Sequence, residues 1–144
     1  MATSASGRRR DLLVDTSVAV ALVVADHDDH AAVTRAVGKR RLGLAGHAAF
    51  ETFSVLTRLP TPARRPPQVV GRLLQAGFPA TRFLGARDTE ALLERLTGLA
   101  IAGGNVYDAL VGAAAVAHDL PLATRDRRAL DVYRLLDVEL ELLA

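Results

Sequence analysis

The sequence contains no cysteine. That excludes disulfides and thiolate metal sites and suits a reducing compartment. No uninterrupted apolar run is long enough to cross a bilayer, so a membrane-spanning protein is not expected. Lysine is nearly missing, with Lys39 standing alone. Positive charge is therefore carried by arginine, whose planar fork pairs two phosphate oxygens. The net charge of +2 permits a nucleic-acid partner without demanding one. Aromatic residues make up only 4% of the chain. With so few, no base-stacking platform is expected, and Phe50, Phe53, Phe78 and Phe83 are expected to be core. The histidines at 27, 30, 47 and 118 are scattered, without the spacing of a zinc site. The start of the chain is basic, but only three apolar residues separate Asp11 from Asp15. A secretory leader needs a longer apolar stretch. Residues 1–7 are expected to be a disordered lead-in, residues 8–144 a single domain, and the location cytoplasmic.

What is present is enough apolar mass for one core: half of the 144 residues are hydrophobic. Short apolar runs at Asp11–Val14, Leu42–Ala45, Thr81–Leu84, Pro121–Thr124 and Val138–Leu142 read as buried strands. Helices are expected over Val18–Ala25 with Thr16 or Ser17 as cap, His30–Val37, and His47–Leu59. Further helices are expected over Gln68–Ala76, Thr89–Ala100, Asn105–Ala117 and Asp126–Leu136. The proline-rich segment 60–67 can only be a loop. Alternation of this kind predicts an α/β fold, a three-layer α/β/α sandwich around a mostly parallel sheet. Such a sheet places its site at the carboxyl ends of the strands.

Two acids occupy that position. Asp15 follows the first strand and Asp126 follows the run Pro121–Thr124, so both belong at one end of the sheet. Asp108 lies in the first turn of a helix whose same-face neighbours are Val111, Gly112 and Ala115. Glu51 sits between Phe50 and Phe53. Asp15 and Asp126 could simply cap helices, Asp108 could complete a capping box with Asn105, and Glu51 could be a solvated surface charge. Taken jointly, converging carboxylates repel and are costly to bury unpaired. A hard divalent cation resolves that conflict and activates water for attack on a phosphodiester.

The segments LLVDTSV (12–18), FETFSVLTRL (50–59) and NVYDALVGAAAVAHDLPLATRDRRAL (105–130) together resemble the motifs of VapC-type PIN domains, in order and spacing. The resemblance runs from Asp11 to Leu143. It implies a magnesium- or manganese-dependent endoribonuclease with an acidic site made of Asp15, Glu51, Asp108 and Asp126. It further implies that Asp15 and Asp108 ligate the metal directly, with Thr16, Ser17 and Thr124 as supporting hydroxyls. It also implies a small VapB-like antitoxin as partner, RNA as substrate, and a homodimer. Arg64, Arg65, Arg125, Arg127 and Arg128 are candidate RNA-phosphate contacts, or simply a solvated surface.

Two other metal phosphotransferases on a parallel sheet fit poorly. A haloacid-dehalogenase-like phosphatase needs a second aspartate at position 17, which is Ser17. A response-regulator receiver needs a late-strand lysine, and Lys39 is the sole lysine. A non-catalytic RNA-binding or protein-interaction module on the same fold would be marked by loss of one of the four acids, and none is lost.

Overall fold

The computed structural model describes residues 10–144. The expected lead-in over residues 1–7 lies outside the described residues. Four short strands form the sheet: β1 (Leu12–Val14), β2 (Leu42–Leu44), β3 (Leu122–Thr124) and β4 (Leu140–Leu142). Their order is β2-β1-β3-β4, and every neighbouring pair is parallel. Between them run α1 (Thr16–Val23), α2 (His30–Val37), α3 (Ala48–Thr57), α4 (Pro67–Gly77), α5 (Ala86–Leu99), α6 (Asn105–Ala117) and α7 (Leu130–Leu135).

Alternation along β1 shows why the sheet needs helices on both faces. Leu12 and Val14 pack with Val18, Val33, Val37 and Phe78, from the α1, α2 and α4 side. Leu13 packs with Leu92, Val111, Ala115, Val132 and Tyr133, from the α5, α6 and α7 side. Successive strand side chains point to opposite faces, so a strand of three apolar residues buried on both sides specifies a three-layer sandwich. That is the architecture expected from the sequence. Among the described residues no helix is long and apolar enough to cross a membrane.

Local details depart from expectation for identifiable reasons. The strand expected at Thr81–Leu84 is reduced to one parallel bridge, Arg82 with Ala45. The Leu44 N–H donates to the Thr81 hydroxyl (3.0 Å) rather than to a backbone carbonyl, and this interrupts the ladder. Gly43 is fixed by the same close approach, since a Cβ there would lie 2.2 Å from the Ala80 carbonyl. The helix expected from Asp126 opens as a 3-10 turn at Arg127–Ala129 before α7 begins. Helix α1 is capped by Asp15, not by Thr16 or Ser17, so it begins at Thr16.

The aromatic assignment also changes. Phe78 is core as expected, at 3% exposure, but Phe50 and Phe83 are 65% and 51% exposed. On α3 the inward stripe is Ala48, Thr52 and Leu56, spaced four apart, and this turns Phe50 outward.

Candidate active site

The sheet brings Asp15 and Asp126 to one end because β1 and β3 are parallel neighbours and each acid follows its strand. Both acids cap what comes next. The Asp15 carboxylate accepts from the Val18 N–H (3.3 Å) and the Asp126 carboxylate from the Arg128 N–H (3.0 Å).

Asp15 is the floor of the site and is buried. Its Oδ1 also accepts the Ser17 hydroxyl (2.6 Å). Its Oδ2 accepts the Thr124 hydroxyl and the Tyr133 phenol, the latter at 3.0 Å. Four donors thus meet one carboxylate, which offers about four acceptor positions. Burial nonetheless raises the Asp15 pKa, against the lowering effect of these hydrogen bonds. Two of the hydroxyls tie the segment after β1 to the end of β3. Ser17 accepts the Arg125 N–H (2.9 Å) while donating to Asp15. Thr124 accepts the Asp126 N–H (3.0 Å) while donating to Asp15.

Tyr133 was not among the candidates from sequence. It lies 118 positions from Asp15 in the chain. The sequence signal is a tyrosine on the apolar side of a helix, since a phenol needs a hydrogen-bond partner when buried. Its ring packs against Gly112 of α6, where an added Cβ would come within 3.1 Å of the ring. Burial, followed by the charge of Asp15, raises the phenol's pKa, so it remains a proton donor.

Asp108 is held differently. Its helix neighbours Val111, Gly112 and Ala115 are buried, while Asp108 itself is half-buried. No capping box forms, since Gly104 caps α6 without a side-chain bond. Desolvation is the largest cause raising its pKa to about 6, followed by repulsion from Asp126, Glu51 and Asp15, with Arg128 opposing. Asp108 therefore lies within electrostatic reach of the other three acids. Glu51 lines a cavity of about 300 Å³ with Thr16, His47, Phe50, Ser54, Val55 and Arg58.

The expected arginines divide. Arg125 is tied into the protein, pairing with Asp29 and reaching the Ser17 carbonyl (3.4 Å), so its fork is not free for phosphate. Arg64 and Arg65 donate to carbonyls of their own loop, at Leu59 and Ala63. Arg127 is exposed, and Arg128 is exposed beside Asp126, 3.5 Å from its carboxylate.

The residues suit a hard divalent cation. Every donor is oxygen, the carboxylates repel one another, and the Thr16 hydroxyl oxygen beside Asp15 is buried without a hydrogen-bond partner. Among the described residues no three histidine, cysteine, aspartate or glutamate side chains form a ready cage. Magnesium does not need one, because it keeps several waters and takes one or two carboxylates.

Comparison with known proteins identifies the family and the fold. The family model for the PIN domain matches residues 12–135. The chain is 50% identical over 127 residues to Ribonuclease VapC27 of Mycobacterium tuberculosis, covering 88% of this chain and 93% of the relative. It is 44% identical over 130 residues to Ribonuclease VapC40 of the same species, covering 89% and 96%. Among solved structures, VapBC2 from Rickettsia felis bound to a promoter DNA fragment superposes with a TM-score of 0.68 at 15% identity, covering 94% of this chain and 100% of that one. FitAcB from Neisseria gonorrhoeae superposes with a TM-score of 0.62 at 17% identity, covering 90% and 95%. The chain belongs to the PIN-domain family, alongside its VapC ribonucleases.

Proposed function

We propose that this chain is a metal-dependent endoribonuclease, the toxin of a VapBC-type pair, acting in the cytoplasm. The observation that carries the reading is the placement of Asp108, whose pKa is raised first by desolvation and then by repulsion from Asp126, Glu51 and Asp15, with Asp15 and Asp126 following the parallel neighbours β1 and β3. A fold gains nothing from gathering such charge unless a cation or a reaction uses it. The VapC ribonuclease relatives supply the substrate class.

Asp15 and Asp108 are the residues that would hold magnesium or manganese. Such a cation would supply Lewis-acid polarisation of a phosphodiester and activation of a water. The chain's own residues do the rest. Ser17, Thr124 and Tyr133 fix the Asp15 carboxylate. With the Val18 amide they occupy its acceptor positions, so a cation held by Asp15 would compete with one of these donors. Asp126 and Glu51 orient water in the pocket and accept its proton. Arg127 and Arg128 meet substrate phosphates, with Arg64 and Arg65 as more distant contacts. A small VapB-like antitoxin bearing a basic side chain would neutralise the same group of acids, and a homodimer is the expected assembly.

The deciding experiment is RNA cleavage by the purified chain with magnesium or manganese, with and without EDTA. RNA-end sequencing after expression then identifies the target. The expected result is cleavage that EDTA stops. Metal-independent cleavage overturns the mechanism, and RNA binding without cleavage favours a non-catalytic module.

A further inference from the structure

Four aromatic rings form a run on the surface beside Glu51. Phe83, Phe50, His47 and Tyr107 follow one another with ring centroids 6.0, 6.5 and 4.9 Å apart. His47 and Tyr107 are stacked, their planes 23° apart. Phe50, Phe83 and Tyr107 are each at least half exposed. Contiguous exposed aromatic surface on a small domain marks a binding site more often than an accident of packing.

The run is built from three places in the chain. His47 and Phe50 stand at the start of α3, Tyr107 in the first turn of α6, and Phe83 just after the segment that bridges to Ala45 beside β2. Two of the rings adjoin site acids in sequence: Phe50 precedes Glu51 and Tyr107 precedes Asp108. His47 and Phe50 also share a cavity with Glu51 and Thr16, which the exposed Arg58 lines as well.

An acidic pocket repels the very backbone a ribonuclease must hold. Uncharged rings escape that conflict, because every base offers a flat face that stacks on an aromatic side chain whatever its sequence. Bases anchored on the rings can deliver the phosphate between them to the acids, with Arg58 and Arg128 offsetting the local negative charge. We propose that Phe83, Phe50, His47 and Tyr107 form a base-stacking subsite for unpaired nucleotides of single-stranded RNA flanking the cleaved bond. This rests on the nuclease reading and deepens it.

The chain has no tryptophan, so Phe50→Trp introduces a single fluorescent reporter at an exposed position. Calcium in the buffer keeps the RNA probe from being consumed. A short oligoadenylate should quench that tryptophan saturably, and an abasic ribose-phosphate oligomer of equal length should not. By anisotropy, the unsubstituted chain should prefer the base-bearing oligomer by roughly tenfold. Phe50→Ala should lose that preference. Phe50→Leu, which keeps apolar bulk but no ring, should lose it as well.

Equal binding of the two oligomers, or a preference that survives Phe50→Ala, overturns the subsite. A dimer converted to monomer by Phe50→Ala with the preference intact overturns it too, and assigns the rings to contact between copies. Cleavage of RNA in manganese is read on the same preparations. Cleavage without base preference sinks the subsite and spares the nuclease. Stacking without cleavage sinks the nuclease and leaves the stacking surface standing.

Discussion

Asp15 and Asp108 carry the same chemical group and belong to the same site, yet the fold treats them in opposite ways. Asp15 is buried under four donors: two hydroxyls, a phenol and a helix N-terminal amide. Asp108 accepts no hydrogen bond among the described residues and faces three other acids. The first carboxylate is positioned by the protein. The second is left in electrostatic conflict. Preorganisation at one and strain at the other make complementary halves of a cation site: one fixes where the ion goes, the other supplies a reason to bind it. The same contrast separates structural failure from functional failure in variants.

The largest effect is expected on cleavage. Asp15→Asn and Asp108→Asn should each lower the rate on the order of a thousandfold, since a Lewis-acid metal supplies several kcal/mol of transition-state stabilisation. Their stabilities should diverge. An Asn at 15 turns an amide donor toward groups that are themselves donors, which costs about 1–3 kcal/mol. An Asn at 108 removes repulsion and should leave the metal-free melting temperature equal or higher. Equal destabilisation by both, read by thermal melting without metal, breaks the contrast.

Metal binding comes next. A ligand that binds only the folded state at a hundred times its Kd adds about 2.7 kcal/mol of stability. Manganese should therefore raise the melting temperature of the wild type and have little effect on Asp108→Asn. Calorimetry against EDTA-treated protein reads this directly. A wild type indifferent to manganese would count against both halves of the site.

Tyr133→Phe tests the donors around Asp15 with the smallest change of shape. Loss of a group that orients a ligand lowers metal affinity or activity by about 10–100-fold, while the lost hydrogen bond costs only about 1 kcal/mol of stability. A purely structural role predicts the stability loss alone. Manganese affinity measured on the variant distinguishes the two.

The strand-then-acid rhythm was legible in the sequence because it is local: Leu12–Val14 then Asp15, and Leu122–Thr124 then Asp126. The parallel sheet with helices on both faces followed from the alternation of strands and helices along the chain. Long-range events were not legible. Tyr133 reaches Asp15 across 118 positions, and Arg125 reaches Asp29 across 96, and nothing in either neighbourhood names its partner. Phe50 looked like core because it is large and apolar, whereas α3 turns the smaller Ala48 and Thr52 inward along with Leu56. The strand at Thr81 failed for a reason no hydrophobic pattern encodes, a side-chain hydroxyl standing in for a backbone carbonyl.

The smallest effect sharpens the contrast most, because it isolates Asp108. Its pKa is raised from the ordinary 3.8 to about 6 in the folded chain. Between those values the metal-free folded protein keeps a proton that the unfolded chain releases, so stability must fall as pH rises through that window. The contribution is fully present below the unfolded value and lost above the folded one. Asp15, also raised by burial, acts in the same direction. Because Asp108 is half exposed, solvent screening reduces its share to on the order of 1 kcal/mol. Other carboxylates in ion pairs, such as Glu141 with Arg40 (2.7 Å), can mask so small a slope in the wild type alone. The quantity to measure is the difference in unfolding free energy between wild type and Asp108→Asn, from urea titrations across the acid range. In EDTA that difference should move against the wild type as pH rises, then level off above the folded value. In saturating manganese it should reverse, because the cation binds the deprotonated carboxylate and competes with the proton. A difference that ignores pH in EDTA means neither burial nor repulsion raises the Asp108 pKa. A difference that does not reverse in manganese means the ion binds elsewhere.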